Sequence, residues 1–143
     1  MLPVCAVDIA EHYEVPYELV QAVAQVESGQ KNPGRVGPNK NGTYDLGIMQ
    51  INTWWLKRTG RYSLTAIGIT EEELLTNDCT NIAVGVWVLK QNLNQYGNVK
   101  AALSAYNTGK PDSSIGLAYA KKVIAWSDKY GKARNERSAV TAR

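Results

Sequence analysis

Residues 15–29 read Val15-Pro16-Tyr17-Glu18-Leu19-Val20-Gln21-Ala22-Val23-Ala24-Gln25-Val26-Glu27-Ser28-Gly29. Pro16 fits the first turn of a helix, where a missing N–H leaves no bond unmade. Leu19, Val20, Val23, Ala24 and Glu27 then recur at helical spacing, and Gly29 supplies a stop. The stripe is apolar except for its last member. Glu27 therefore falls on the face that should be buried, where carboxylates are rare without a partner. Burial disfavours the charged form and raises the pKa, which suits a general acid. The negative end of the helix dipole pushes the same way. The alternative is an ordinary surface glutamate at a helix end, and periodicity alone leaves both placements open.

Outward from this helix, most of the chain reads as helical. Residues 4–12 fit a short helix before it. Residues 30–44 are dense in Gly, Pro and Asn, and Asn41-Gly42 is a two-residue turn signal, so a small β-hairpin is expected there. Asn52 or Thr53 can cap a short helix through Trp54, Trp55 and Leu56. Thr70-Glu71-Glu72-Glu73 forms a capping box for another. Cys79, Ile82, Ala83, Val86, Lys90, Leu93 and Tyr96 lie on one stripe, apolar but for Lys90 and ended by Gly97. Asn98 can cap a helix closed by Gly109. Tyr119, Val123, Trp126 and Tyr130 mark a last helix, expected to stop at Gly131.

Composition narrows the class. The chain has 143 residues, 44% of them hydrophobic and 20% charged, which suits one soluble domain with one core. Phe is absent, so 4 Trp and 8 Tyr supply every aromatic ring, either as core or as the walls of a carbohydrate cleft. Lys132, Arg134, Arg137 and Arg143 against Glu136 account for the whole net charge of +3. The body is neutral, which disfavours a nucleic-acid binder. Residues 132–143 read as a polar basic tail, expected to be disordered. No apolar run approaches the roughly 18 residues of a membrane span. Met1-Leu2-Pro3-Val4 is too short for a signal peptide, so the N-terminus reads as that of a mature form with an added Met.

Cys5 and Cys79 show no metal-ligand spacing. They are either two buried thiols or, in an exported protein, one disulfide closing a loop of about 75 residues and stabilising the fold by roughly 3–4.5 kcal/mol. His12 is the only histidine and has no cluster around it, so zinc and Ser-His-Asp chemistry are disfavoured. No phosphate-binding glycine loop is present. Neither a metal nor a cofactor is expected.

Two further segments carry chemistry. Asp45-Leu46-Gly47-Ile48-Met49-Gln50-Ile51-Asn52 follows the Asn-Gly turn and sets a Gln among apolar neighbours, where its amide needs partners. Ser104-Ala105-Tyr106-Asn107-Thr108-Gly109 places a phenol and an amide at a helix end. Each has a plain structural reading as well: a core strand with a satisfied amide, and a helix C-cap.

Five groups stand in order: Glu27-Ser28-Gly29; Gly47-Ile48-Met49-Gln50-Ile51-Asn52; Asn81-Ile82 with Gly85; Ala105-Tyr106-Asn107-Thr108-Gly109; and Tyr119 with Lys122-Val123. Together they resemble the signature of lysozyme-like lytic transglycosylases. The resemblance is nearest to the small peptidoglycanases of secretion and conjugation systems, and spans about residues 5–130. It implies a mainly α, lysozyme-like α+β fold over residues 1–131, two-lobed, with the hairpin beside a cleft. It implies Glu27 as the one indispensable acid/base. Ser28, Met49, Gln50, Tyr106, Asn107 and Tyr119 become substrate-site residues, with Met49 flooring the site and Tyr106 hydrogen-bonding Glu27. Cys5 and Cys79 match a disulfide pair.

The implied activity breaks the β-1,4 bond between N-acetylmuramic acid and N-acetylglucosamine, leaving a 1,6-anhydro end. The implied setting is the periplasm or another exported location. Glycan strands are the implied partner, with components of an envelope-spanning machine beside them, and the chain is expected to be a monomer. Asp45 departs from the broader family, where its position is often small and apolar, and looks more like the second carboxylate of animal lysozyme. The alternatives are accordingly a muramidase that hydrolyses the same bond with Asp45, and a non-catalytic wall-binding assembly protein.

Overall fold

The structure is a computed structural model that describes residues 1–57 and 63–141. The chain runs α1 (Cys5–His12), α2 (Tyr17–Ser28), β1 (Arg35–Val36), β2 (Asp45–Leu46), β3 (Ile51–Asn52), α3 (Trp54–Lys57), a 3₁₀ turn (Thr65–Ile67), α4 (Glu71–Thr76), α5 (Asp78–Tyr96), α6 (Val99–Thr108) and α7 (Ser114–Thr141). It is mostly helical with one small sheet, as the residue spacing predicts.

The helix boundaries follow local chemistry. Thr70 Oγ1 accepts from Glu73 N, Asn77 Oδ1 from Thr80 N and Asn98 Oδ1 from Ala101 N, each satisfying an N–H that the first helical turn leaves open. Gly29, Gly97 and Gly109 end α2, α5 and α6 in the left-handed conformation.

The helical lobe is built on α7, which packs along both α6 and α2, while α5 packs against α6 and α1. Val20 and Val23 of α2, Ile82, Val86 and Leu89 of α5, Leu103 of α6 and Val123 of α7 are sealed from solvent. The α5 stripe understates its burial. Asn81, Val84, Gly85 and Val88 are buried too, because α1, α4, α6 and β3 surround this helix on several sides. A helix covered all round carries no clean amphipathic period.

The expected stop at Gly131 is absent. The last helix continues to Thr141, so residues 132–141 extend α7 instead of fraying. A glycine inside a helix costs only about 1 kcal/mol relative to alanine. Beyond it, Arg134 forms an ion pair with the buried Glu18 of α2, which anchors the extra turns. Residues 142 and 143 of the anticipated tail lie outside the described residues.

The sheet is three-stranded and antiparallel in the order β1-β2-β3, pairing Arg35 with Leu46, Val36 with Asp45, Asp45 with Asn52, and Leu46 with Ile51. Asn41-Gly42 does lie between β1 and β2, but not as a two-residue hairpin. Asn39 N donates to Thr43 O at 2.7 Å, and Thr43 N to Asn41 Oδ1, giving a wider loop closed by its own side chains. No described helix is long and apolar enough to cross a membrane.

Cys5 and Cys79 form a disulfide, with Cα atoms 6.0 Å apart and a separation of 74 positions in sequence. It fastens α1 to the first turn of α5. Replacing both cysteines with serine should lower unfolding free energy by about 2–4.5 kcal/mol, measured by denaturant titration of oxidised protein.

Candidate active site

α2 delivers Glu27 to the junction of the two lobes in its last turn. Its Oε2 accepts a hydrogen bond from the Tyr119 hydroxyl of α7 at 2.7 Å. Burial lifts the Glu27 carboxyl from its usual 4.5 to about 7; the Tyr119 bond opposes that shift, and the charge of Asp45 adds to it. Burial, followed by the charge of Glu27, also raises the phenols of Tyr119 and Tyr106 far above their ordinary range. Both phenols therefore remain neutral donors.

Asp45 enters from β2. Its Oδ2 accepts from Asn39 Nδ2 at 3.2 Å and its Oδ1 from Asn52 Nδ2 at 3.1 Å. Asn52 is itself fixed at the other end of its amide, since Oδ1 accepts from the Trp54 N–H at 2.9 Å. Two side-chain amides thus hold the carboxylate in one orientation.

The turn joining β2 to β3 forms the remaining wall. Gly47 has φ +71°, and a Cβ there would collide with the Asn81 side chain. Asn81 is fully buried on α5; its Oδ1 accepts from Met49 N, and its Nδ2 donates to Leu46 O and Leu74 O. Gln50 closes the turn at φ +54°, a conformation that costs a residue with a Cβ of order 1–3 kcal/mol and that tends to occur at functional sites. Its Nε2 donates to Gly47 O at 2.9 Å. Gly85 of α5 leaves room for Met49, whose side chain would clash with any Cβ at that position.

Glu27, Asp45, Gln50, Trp55, Tyr106 and Asn107 line one small cavity of about 100 Å³. It opens into a wider groove, because Asn52, Trp55, Tyr106 and Asn107 belong to both. A partly dehydrated acid thus shares a cavity with a second, oriented carboxylate, flanked by amides and an indole. That equipment suits protonation of a neutral oxygen leaving group and electrostatic support for positive charge developing beside it.

The expected tyrosine roles are exchanged. The resemblance pairs Tyr106 with Glu27, but the Tyr106 hydroxyl donates to Met49 O at 2.7 Å, while Tyr119 binds the carboxylate. Tyr106 lies in the last turn of α6 with its hydroxyl on the β2–β3 turn, whereas Tyr119 sits on α7 with its hydroxyl on Glu27. Tyr119 accordingly stands behind Glu27 and is not part of the cavity wall. Ser28 also turns inward: its Oγ lies 2.7 Å from Ile48 O and 3.1 Å from Ala24 O, tying α2 to the turn. Met49 lies fully buried under the turn. Among residues the spacing did not single out, Asn39 matters most. Its only signal was a place in a Gly/Pro/Asn-rich loop.

The family model for the transglycosylase SLT domain matches residues 5–128. Invasion protein IagB of Salmonella typhimurium is 38% identical over 121 residues, covering 83% of this chain and 72% of IagB. Protein IpgF of Shigella flexneri is 37% identical over 99 residues, covering 69% and 61%. Among solved structures, an inactive mutant of the lytic transglycosylase Slt of Pseudomonas aeruginosa superposes with a TM-score of 0.67 at 20% identity. That likeness is one of fold; it covers 91% of this chain and 24% of the Slt chain.

The opposing influences on Glu27 can be separated by carboxyl NMR titration. Wild-type Glu27 should titrate near 7. Tyr119→Phe removes the bond that lowers the pKa and should move the midpoint upward. Asp45→Asn removes a charge that raises it and should move the midpoint downward. Shifts of the same sign in both variants would contradict the arrangement described.

Proposed function

The chain belongs to the transglycosylase SLT domain family, and on that premise we propose that Glu27 is the acid/base with which it cleaves peptidoglycan strands between N-acetylmuramic acid and N-acetylglucosamine. The observation that carries this reading is a carboxyl holding its proton near neutral pH at the wall of a cavity shared with Asp45.

With Tyr119 donating to Oε2, the mechanism puts the acidic proton on Oε1. Oε1 gives it to the bridging oxygen as the bond from muramic C1 to that oxygen breaks, and the departing sugar leaves as an alcohol. Positive charge grows on C1 and the ring oxygen. Asp45, fixed by Asn39 and Asn52, faces that charge and stabilises it. Glu27 is now a carboxylate, with Tyr119 donating to it. It removes the proton from the C6 hydroxyl of the same sugar, O6 bonds to C1, and a 1,6-anhydro ring closes. Glu27 ends protonated and no water is consumed. Ring closure within one sugar benefits from proximity.

Asp45 also supports a second reading, hydrolysis, because a second carboxylate in the acid's cavity is what a retaining glycosidase uses. The two readings differ in their product. Periplasmic action, with local opening of the wall for an envelope-spanning secretion or conjugation machine, completes the proposal. It is supported by similarity to a protein named for invasion.

Glu27→Gln should lower turnover of purified peptidoglycan by roughly 10²–10⁴-fold while leaving the circular dichroism spectrum unchanged. Near-normal turnover would remove Glu27 from the chemistry. Mass spectrometry of wild-type products should find 1,6-anhydro ends; reducing ends would assign hydrolysis instead. The wild-type rate should fall as pH rises through about 7, where Glu27 gives up its proton.

A further inference from the structure

Consecutive carbonyls of the β2–β3 turn each meet a donor. Leu46 O accepts from Asn81 Nδ2 at 2.8 Å. Gly47 O accepts from both the backbone N–H of Gln50, at 3.0 Å, and its Nε2, at 2.9 Å. Ile48 O accepts from the Ser28 hydroxyl of α2, and Met49 O from the Tyr106 hydroxyl of α6, each at 2.7 Å. The last two carbonyls are thus held by side chains of the helical lobe and not by the sheet.

The residue that follows them is Gln50, at φ +54°. A residue with a Cβ is strained there and keeps the conformation only where its surroundings fix it. Met49 O and Gln50 N belong to one peptide unit, and the φ of Gln50 is the rotation of its Cα against that unit. Tyr106 holds the oxygen edge of the unit, and Gly47 O holds its nitrogen edge. On the near side the Met49 side chain fills the space that Gly85 leaves open. On the far side Ile51 pairs with Leu46 in the sheet. Moving Gln50 to a negative φ would turn the peptide unit and break the bonds at both of its edges. The sign of φ also sets where the side chain points, and Gln50 lines the cavity of Glu27 and Asp45.

We propose that Tyr106 is a positioning residue: by holding the Met49 carbonyl, its hydroxyl keeps Gln50 in the left-handed conformation that presents the Gln50 side chain to the cavity of the acid. Tyr106 then acts through the turn and not on the Glu27 carboxylate. Its effect on rate rests on the reading that this cavity cleaves glycan; its effect on the turn does not.

Tyr106→Phe keeps the ring and removes only the donor, and Gln50→Gly removes the strain, since a residue without a Cβ adopts positive φ freely. The test is a double-mutant cycle on the full chain, read first by amide hydrogen exchange at position 50. Tyr106→Phe alone should lower protection there roughly fivefold, the loss of one hydrogen bond. In the Gln50→Gly background the same change should lower it less than about twofold, because no strain is left to release. The initial rate on purified peptidoglycan should follow the same pattern. Tyr106→Phe should slow wild type on the order of tenfold and add little to the loss already caused by Gln50→Gly. Carboxyl NMR should show no upward move of the Glu27 midpoint in Tyr106→Phe, in contrast to Tyr119→Phe. Unchanged protection in Tyr106→Phe, equal losses in both backgrounds, or an upward move of the Glu27 midpoint would each overturn the proposal. A chain that cleaves no peptidoglycan would instead refute the proposed function, while hydrogen exchange would still read the hold of Tyr106 on the turn.

Discussion

An acid that must keep its proton near neutral pH has to be withheld from water, and the helical lobe withholds Glu27 by packing α2 against α7. The same packing brings Tyr119 to within 2.7 Å of the carboxylate. The phenol does not make the group acidic or basic overall; burial dominates and the phenol tempers it. In the proposed mechanism its larger effect is directional, since an oxygen that accepts from Tyr119 leaves the other to carry the proton. Without the interhelical packing, Glu27 would be a solvated residue at a helix end, which is one of the two placements its sequence position allows.

The second lobe needs outside support. Strands of two residues cannot hold themselves together, and three of them make a sheet too small to bury its own core. Asn81 supplies much of the support, with one amide binding three backbone groups from the β2–β3 turn and α4. Met49 completes it by lying in the space that Gly85 leaves open, with its carbonyl taken by Tyr106. A buried amide that satisfies all three partners specifies one docking of the lobes, where apolar contact alone would tolerate several.

Legibility in the sequence tracked whether a feature is local. Caps at Thr70 and Asn98 and stops at Gly29, Gly97 and Gly109 are set by residues within a few positions, and they were readable. Gly131 misled because its helix is continued by Arg134 reaching Glu18, more than a hundred positions away in the chain. α5 looked like a one-sided stripe because sequence does not count how many neighbours surround a helix. At the site, Glu27 and Asp45 were legible as types of residue in suggestive places. The exchange between Tyr106 and Tyr119 was not, since spacing places both near a helix end and says nothing of which phenol reaches which oxygen.

The dehydrated carboxyl also bears on the integrity of the scaffold. Released from the fold, Glu27 would ionise with its usual midpoint of 4.5, whereas inside it the midpoint lies near 7. The native state therefore binds the proton more tightly than the unfolded chain does, and that preference supports the fold fully in acid. Between pH 4.5 and about 7 the support fades, and on the order of 3 kcal/mol has been forfeited once the pH passes the folded midpoint. Most of that reserve is lost while the folded carboxyl still holds its proton, so the scaffold weakens at a lower pH than the one at which Glu27 ionises in place.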